Sequence, residues 1–278
     1  MKLGINSYTY MWAIGFESPD PAQPGRACPA RPLTALGLLE KARGLGVSLV
    51  QTGPNLPFET LPAAAQDLFI ARAAEWGITL ELGARGLDGS HLGDLLGLAR
   101  RMGARLIRTI PELDGQYLTE PRQMLPPLRA VLPALEEAGI CLAVENGRMP
   151  AAGLAAALDE LGSPRVGVVL DMVNSLAVPE GWKEVTRQLA RHTMCLHYKD
   201  FTIRRAWHMM GFLCEGAPAG QGRLDTPWLF EQLQASPYDF NVILELWPPE
   251  QADLDQTIAL EQAWAEQSVA YLRRLIQD

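Results

Sequence analysis

Eight times along this chain a short apolar run is followed by a longer segment with helical spacing of its apolar residues. The runs are LGIN (3–6), VSLVQT (47–52), ITLELG (78–83), RLIRTI (105–110), CLAVEN (141–146), VGVVLD (166–171), TMCLHYKD (193–200) and NVILELW (241–247). Helices are expected near 33–45, 61–76, 89–102, 120–138, 151–161, 180–191, 225–235 and 256–276. Strands that alternate with helices build a parallel sheet. Gly46, Gly77, Gly103 and Gly139 each stand between a helix and the next strand, where a left-handed C-cap belongs. An open doubly wound sheet usually carries a glycine-rich phosphate loop after its first strand. Here Asn6, Ser7 and Tyr8 follow instead. The 278 residues divide into eight units of about 35, with no linker or composition shift between them. The expected fold is α/β, a single (β/α)8 TIM barrel over residues 1–278.

Composition removes several function classes. Lys and Arg number 24 against 32 Asp and Glu, a net charge of −8. That balance repels phosphate backbones and argues against a nucleic-acid partner. No apolar run approaches the roughly 18 residues of a membrane span. The N-terminus turns polar at Asn6 and Ser7, unlike a secretory leader. Cys28, Cys141, Cys195 and Cys214 show no CxxC spacing, so reduced thiols and a cytoplasmic location are expected. Only His91, His192, His197 and His208 are present, which excludes a site built from many imidazoles.

In barrels of this kind the chemistry sits at the C-terminal ends of the strands. The fifth strand ends in Glu145, the sixth in Asp171, the seventh in His197 with Lys199 two residues on, and the eighth in Glu245. Residues two apart share a face of a strand. Ala143 goes with Glu145, Val169 with Asp171, Cys195 with His197, and Ile243 with Glu245. The opposite sets are bulkier: Leu142 and Val144; Val166, Val168 and Leu170; Met194, Leu196 and Tyr198; Val242, Leu244 and Leu246. They suit packing beneath helices, which turns Glu, Asp, His and Glu inward around one rim. Three carboxylates that close repel one another unless a cation compensates, and one divalent ion is the simplest such cation. Three oxygens and one imidazole suit Mn²⁺, Mg²⁺ or Co²⁺, with Zn²⁺ also compatible.

The segments AVEN, VLDMVNS, LHYKDF, PAGQGRLD and ILELW, on a pattern that runs nearly the whole chain, resemble the xylose isomerase-like TIM-barrel superfamily of sugar phosphate isomerases and epimerases. The resemblance implies that Glu145, Asp171, His197 and Glu245 bind one divalent metal. It also implies that Glu145 and Glu245 act as acid and base, that the substrate is a small sugar or sugar acid, and that the protein is a homodimer or homotetramer. Gly220–Gln221–Gly222 is similar to the family's Gly-x-Gly turn, which suits either a substrate contact or a plain tight turn. Two positions depart from the ketose 3-epimerases of this superfamily. Asn174 stands where they usually carry a histidine, and Ala151 where they usually carry a substrate-binding glutamate. Endonuclease IV, with three metals and several more histidines, is disfavoured by the histidine count. The segment 201–222 resembles a subgroup that includes 3-oxoisoapionate decarboxylases.

The leading expectation is a metal-dependent sugar isomerase or epimerase. Chelation polarises a carbonyl, one glutamate removes the adjacent proton, and the other returns it through an enediolate. The alternative is a lyase that removes CO2 from a 3-oxo sugar acid on the same site. A catalytically silent sugar-binding barrel is the third reading, and the intact Glu/Asp/His/Glu set stands against it. Candidate substrate contacts are Tyr8, Trp12, Arg108, Asn174, Lys199, Arg204, Arg205 and His208. Arg204 and Arg205 suit a bidentate grip on a carboxylate or phosphate, or else a loop that packs over the barrel with its arginines solvated. Arg85 and Arg108 suit either the pocket or a structural ion pair. Glu81 shares the parity of Gly83 without an evident partner. The loop at 17–32 carries five prolines and reads as a rigid lid or a passive surface loop.

Overall fold

Each of the eight apolar runs forms a strand in the computed structural model, which describes residues 1–18 and 25–276. The strands are β1 (Leu3–Asn6), β2 (Leu49–Gln51), β3 (Thr79–Arg85), β4 (Leu106–Ile110), β5 (Cys141–Glu145), β6 (Val166–Asp171), β7 (Thr193–Tyr198) and β8 (Asn241–Leu244). All pair in parallel with their sequence neighbours, and β8 closes on β1, with Leu3 opposite Val242. Around this barrel lie α1 (Ala35–Leu45), α2 (Ala63–Glu75), α3 (Gly89–Met102), α4 (Leu125–Ala138), α5 (Ala151–Leu161), α6 (Trp182–Leu189), α7 (Thr226–Leu233) and α8 (Leu254–Leu272). Gly46, Gly77, Gly103 and Gly139 all adopt positive φ, between 65° and 68°, and end α1 to α4 as expected. Gly162 does the same after α5, where Ser163, Pro164 and Arg165 separate it from the strand and hide the pattern. No helix among the described residues is long and apolar enough to cross a membrane.

Strand parity sorts the core into two layers. Leu49, Leu106, Ala143, Val169, Cys195 and Ile243 form one buried cluster inside the barrel. Leu142, Val144, Val168, Leu170, Leu196, Val242 and Leu244 join the larger cluster under the helices. Met194 corrects the expected pattern, because it joins the inner cluster. The β6–β7 register slips there: Val168 pairs with Thr193 and Val169 with Cys195, so β7 carries one extra residue. Such a bulge re-aims one side chain. Gly167 admits it, since a Cβ on Gly167 would lie 2.8 Å from Met194 Cγ.

The segment after β7, expected as a long loop, is instead an antiparallel ribbon of Asp200–Arg205 with Phe212–Ala217. Its root is fixed by the buried Asp200 carboxylate. Oδ2 accepts the backbone N–H of Gly220 and Gly222 at 3.0 and 2.9 Å, and Oδ1 accepts those of Phe201 and Leu224 at 2.9 and 3.1 Å. The Gly-x-Gly turn is therefore the cradle of Asp200. A Cβ on Gly222 would lie 2.1 Å from Asp200 Oδ1. Part of the proline-rich loop, residues 19–24, lies outside the described residues, and its flanks pair as Phe16–Glu17 with Arg26–Ala27.

Glu261 on α8 holds the turn that follows β1. Its carboxylate accepts the N–H of Trp12 at 2.9 Å and of Ala13 at 3.1 Å. Burial pushes its pKa from 4.5 up to about 7, against the opposing pull of those two N–H groups and Lys41. The folded chain thus holds a proton that the unfolded chain releases at lower pH. The resulting stabilisation is fully present below pH 4.5 and is lost by about pH 7. It amounts to about 3 kcal/mol. Denaturant unfolding of wild type and Glu261→Gln across this range is expected to show a falling wild-type stability relative to the variant. Parallel curves would contradict it.

Candidate metal centre

Glu145, Asp171 and His197 close three adjacent strands, and their donor atoms lie within 4.8 Å of one another, all buried. Glu145 Oε2, Asp171 Oδ2 and His197 Nδ1 are sealed from water and lack a hydrogen bond of good geometry, with charged neighbours in Arg108, Lys199 and Glu245 instead. Their convergence fits a divalent cation.

Each donor is aimed by other residues. His197 Nε2 lies 2.7 Å from Gln51 Oε1 on β2. Gln51 Nε2 donates to Glu81 Oε2 on β3 at 2.9 Å, and Asn241 Nδ2 donates to Glu81 Oε1 at 2.7 Å. An amide oxygen only accepts, so Nε2 carries the ring proton and the Nδ1 lone pair faces the carboxylates. Asp171 Oδ1 accepts the N–H of Val173 and Asn174 at 2.9 and 3.0 Å, which leaves Oδ2 for the site. Asn146 exchanges two hydrogen bonds with the Asp171 backbone and ties β5 to β6. Glu145 Oε1 accepts from Asn174 Nδ2 at 2.8 Å, while Oε2 forms a close ion pair with the buried Arg108.

Glu245 lies at the same centre but stands outside the convergent triad. Its Oε1 is 3.0 Å from His197 Nδ1 and accepts from Asn6 Nδ2 at 2.6 Å. Its Oε2 accepts from Lys199 Nζ at 3.1 Å, and the same ammonium lies 2.6 Å from Asp171 Oδ2. Burial opposes ionisation of Glu245, yet His197, Lys199 and Arg108 outweigh it and hold the carboxyl well below its usual range. Burial raises Asp171, assisted by Glu245 and Glu145, against the pull of Lys199. Burial would favour neutral Lys199 and His197, but Asp171 and the two glutamates raise Lys199, and the glutamates raise His197. A proton and a metal compete for His197 Nδ1, so metal binding releases that proton.

The structure therefore brings Arg108, Asn174 and Lys199, candidate substrate contacts in the sequence, to the carboxylates of this centre. Tyr8 borders it, with its ring centroid 6.0 Å from the Arg108 guanidinium carbon. Trp12 is engaged elsewhere, donating to Pro248 O at 3.2 Å and packing on Phe16. The structure does not bring Arg204, Arg205 or His208 to the carboxylates. They stand on the exposed ribbon, where Arg204 forms a two-point ion pair with Glu215 at 2.7 and 3.0 Å. Arg205 donates to Met209 O, and His208 Nδ1 accepts from Met210 N at the tip. Trp207 and Met210 beside them are 92% and 87% exposed. Arg85 is a structural partner, 3.5 Å from Glu112.

Asn6, Gln51, Asn146 and Asn241 are absent from the sequence candidates. A signal for three of them exists. Asn6 and Gln51 stand two residues after Gly4 and Leu49, and Asn241 two before Ile243, at the same inward parity that places Glu145 after Ala143.

A cavity of about 250 Å³ opens beside Glu145 and Asn174, lined also by Ile110, Tyr117, Arg148 and Ala177. A larger cavity, about 760 Å³, lies at the opposite mouth of the barrel among Lys2, Thr79, Arg105 and Tyr238. Of the three convergent residues, Glu145 lines the smaller one.

Comparison with known proteins agrees with this geometry. The 3-oxo-isoapionate decarboxylase of Pectobacterium atrosepticum is 32% identical over 273 residues, 98% of this chain and 95% of the relative. Among solved structures, D-psicose 3-epimerase from Clostridium cellulolyticum H10 superposes with a TM-score of 0.71 at 15% identity, covering 100% of both chains. A magnesium-bound xylose isomerase-like TIM-barrel protein from Mycobacterium smegmatis gives a TM-score of 0.67 at 15% identity over 97% of each chain. At those identities the structural likeness establishes the fold. The buried Glu/Asp/His triad makes the protein an enzyme with a metal-dependent active site. The profile described as a xylose isomerase-like TIM barrel matches residues 15–275, and the chain belongs to that family.

Proposed function

We propose that this protein is a divalent-metal-dependent decarboxylase of a branched 3-oxo sugar acid of the 3-oxo-isoapionate kind. The carrying observation is the charge balance of the centre. Glu145, Asp171 and Glu245 face not only the metal position but also Arg108 and Lys199. With His197 neutral and a divalent ion bound, three negative charges meet four positive ones. The surplus positive charge suits a substrate with one carboxylate better than a neutral ketose. The relative from Pectobacterium atrosepticum carries the same activity in its name. The carboxylate-rich donor set favours Mn²⁺, Mg²⁺ or Co²⁺, and Zn²⁺ is compatible.

In the reaction the C–C bond to the carboxyl group breaks and its electron pair moves onto the 3-oxo oxygen. CO2 leaves, and the carbon takes up one proton. A divalent ion supplies Lewis acidity that favours the charge developing on that oxygen. Arg108 offsets Glu145, and Asn174 fixes its second oxygen. Lys199 donates to Glu245 at 3.1 Å, which puts a proton beside the metal position. We assign that pair to proton handling on this basis, and Glu145 to holding the metal. The buried Arg108 and the half-buried Tyr8 limit water near the carbon that takes up the proton.

The isomerase or epimerase reading uses the same glutamates, and D2O separates the two. The decarboxylase is expected to place one solvent deuterium in each product molecule, in step with CO2. An isomerase exchanges deuterium into a ketose without CO2 release, and that outcome would overturn the proposal.

A further inference from the structure

Arg148 follows β5 by three residues and lines the same cavity as Glu145 and Asn174. Its guanidinium carbon lies 3.5 Å from the centroid of the Tyr117 ring. Tyr117 is in turn held by Arg85, whose NH2 donates to its hydroxyl at 3.0 Å. The two arginines differ in one respect. Arg85 has a carboxylate neighbour in Glu112, whereas among the described residues Arg148 has neither an ion pair nor a hydrogen bond. Stacking leaves the N–H groups at the edge of a guanidinium free while it fixes the plane. Arg148 is therefore a pre-oriented, unpaired cation in the cleft beside the metal centre. Arg204 and Arg205, by contrast, are committed to Glu215 and to the Met209 carbonyl oxygen.

We infer that Arg148, held flat on Tyr117, receives the carboxylate of the substrate and so selects sugar acids over neutral ketoses. This rests on the decarboxylase reading for the identity of the acid, but not for the preference itself. A planar fork meets a carboxylate through two parallel N–H···O bonds, which a lysine cannot reproduce. Tyr117 is then a positioning residue that sets the plane of that fork.

The test uses the metal-loaded full-length protein and two probes, D-erythronate and its uncharged counterpart erythritol. Calorimetric titration is expected to show wild type preferring erythronate by about 10-fold or more. Arg148→Met removes the preference, and Arg148→Lys keeps only part of it. With 3-oxo-isoapionate, Arg148→Met raises KM by about 30-fold while kcat changes much less. Arg148 is exposed, so both variants are expected to fold, and circular dichroism checks this. Erythronate binding by Arg148→Met equal to that of wild type would overturn the assignment. If wild type releases no CO2 but the variant still loses erythronate, the decarboxylase reading fails and the role of Arg148 stands.

Discussion

Glu145→Gln is expected to reduce turnover by at least ~10³-fold, with loss of the bound metal and of stability. The loss has two separable origins. The amide introduced there is neutral, so the metal position loses one of three convergent donors. It also leaves the buried Arg108 guanidinium without its carboxylate. Breaking a buried pair from one side typically costs about 3–5 kcal/mol, whereas replacing both partners with neutral groups is often close to neutral. The double variant Arg108→Met/Glu145→Gln is therefore expected to recover most of the lost melting temperature, while turnover and metal binding stay lost. Thermal melts and metal analysis on the three proteins check this. A single variant that keeps its metal and a tenth of its turnover would contradict the role of Glu145.

Lys199→Met separates metal binding from proton handling. The ammonium sits between Asp171 Oδ2 and Glu245 Oε2, at 2.6 and 3.1 Å, and repels a cation at the neighbouring position. Its removal is expected to tighten metal binding and widen the stability gap between metal-loaded and metal-free protein. Turnover is nevertheless expected to fall by about 10²–10⁴-fold, the usual loss when a positioned proton source is removed. Calorimetric metal titration beside steady-state kinetics reads both effects. Turnover within threefold of wild type would show that the proton comes from elsewhere.

The barrel and half of its centre are legible in the chain because both rest on local rules. Alternation predicts the eight strands, and parity turns Glu145, Asp171 and His197 inward. Parity fails at Met194 because a bulge is a register property of two strands, and neither strand shows it alone. The network behind His197 is equally local in parity but not in partnership. Gln51 meets His197 across 146 residues of sequence, and only closure of the barrel brings β2 opposite β7. The ribbon at 200–217 is hidden for a different reason. Ile203, Phe212 and Leu213 are partly exposed apolar residues, so its strands lack the apolar-in, polar-out alternation that marks a half-buried hairpin. Arg204 and Arg205, which the sequence leaves open between a substrate grip and a loop with solvated arginines, stand on this ribbon. Arg148 stays silent in the sequence because its partner Tyr117 comes from the preceding β4–α4 connection.

The charge argument also changes the reading of the departures at Ala151 and Asn174. Ala151 begins α5, and its N–H is received by Glu180 at 3.1 Å, so that position serves a helix end. Asn174 holds Glu145 in place. Neither supplies the histidine or the substrate-binding glutamate that ketose 3-epimerases usually carry there, whereas Arg108 and Lys199 bring positive charge to the carboxylates and Arg148 brings it to the cavity beside Glu145.

The central claim is that one divalent ion on Glu145, Asp171 and His197 makes this chain a sugar-acid decarboxylase. The most direct test strips the protein with a chelator, adds Mn²⁺ stepwise, and follows CO2 release from 3-oxo-isoapionate. Release is expected to be absent in the stripped protein and to rise to a plateau at one ion per chain. Release unaffected by stripping, or one bound ion per chain with no CO2, would contradict the account.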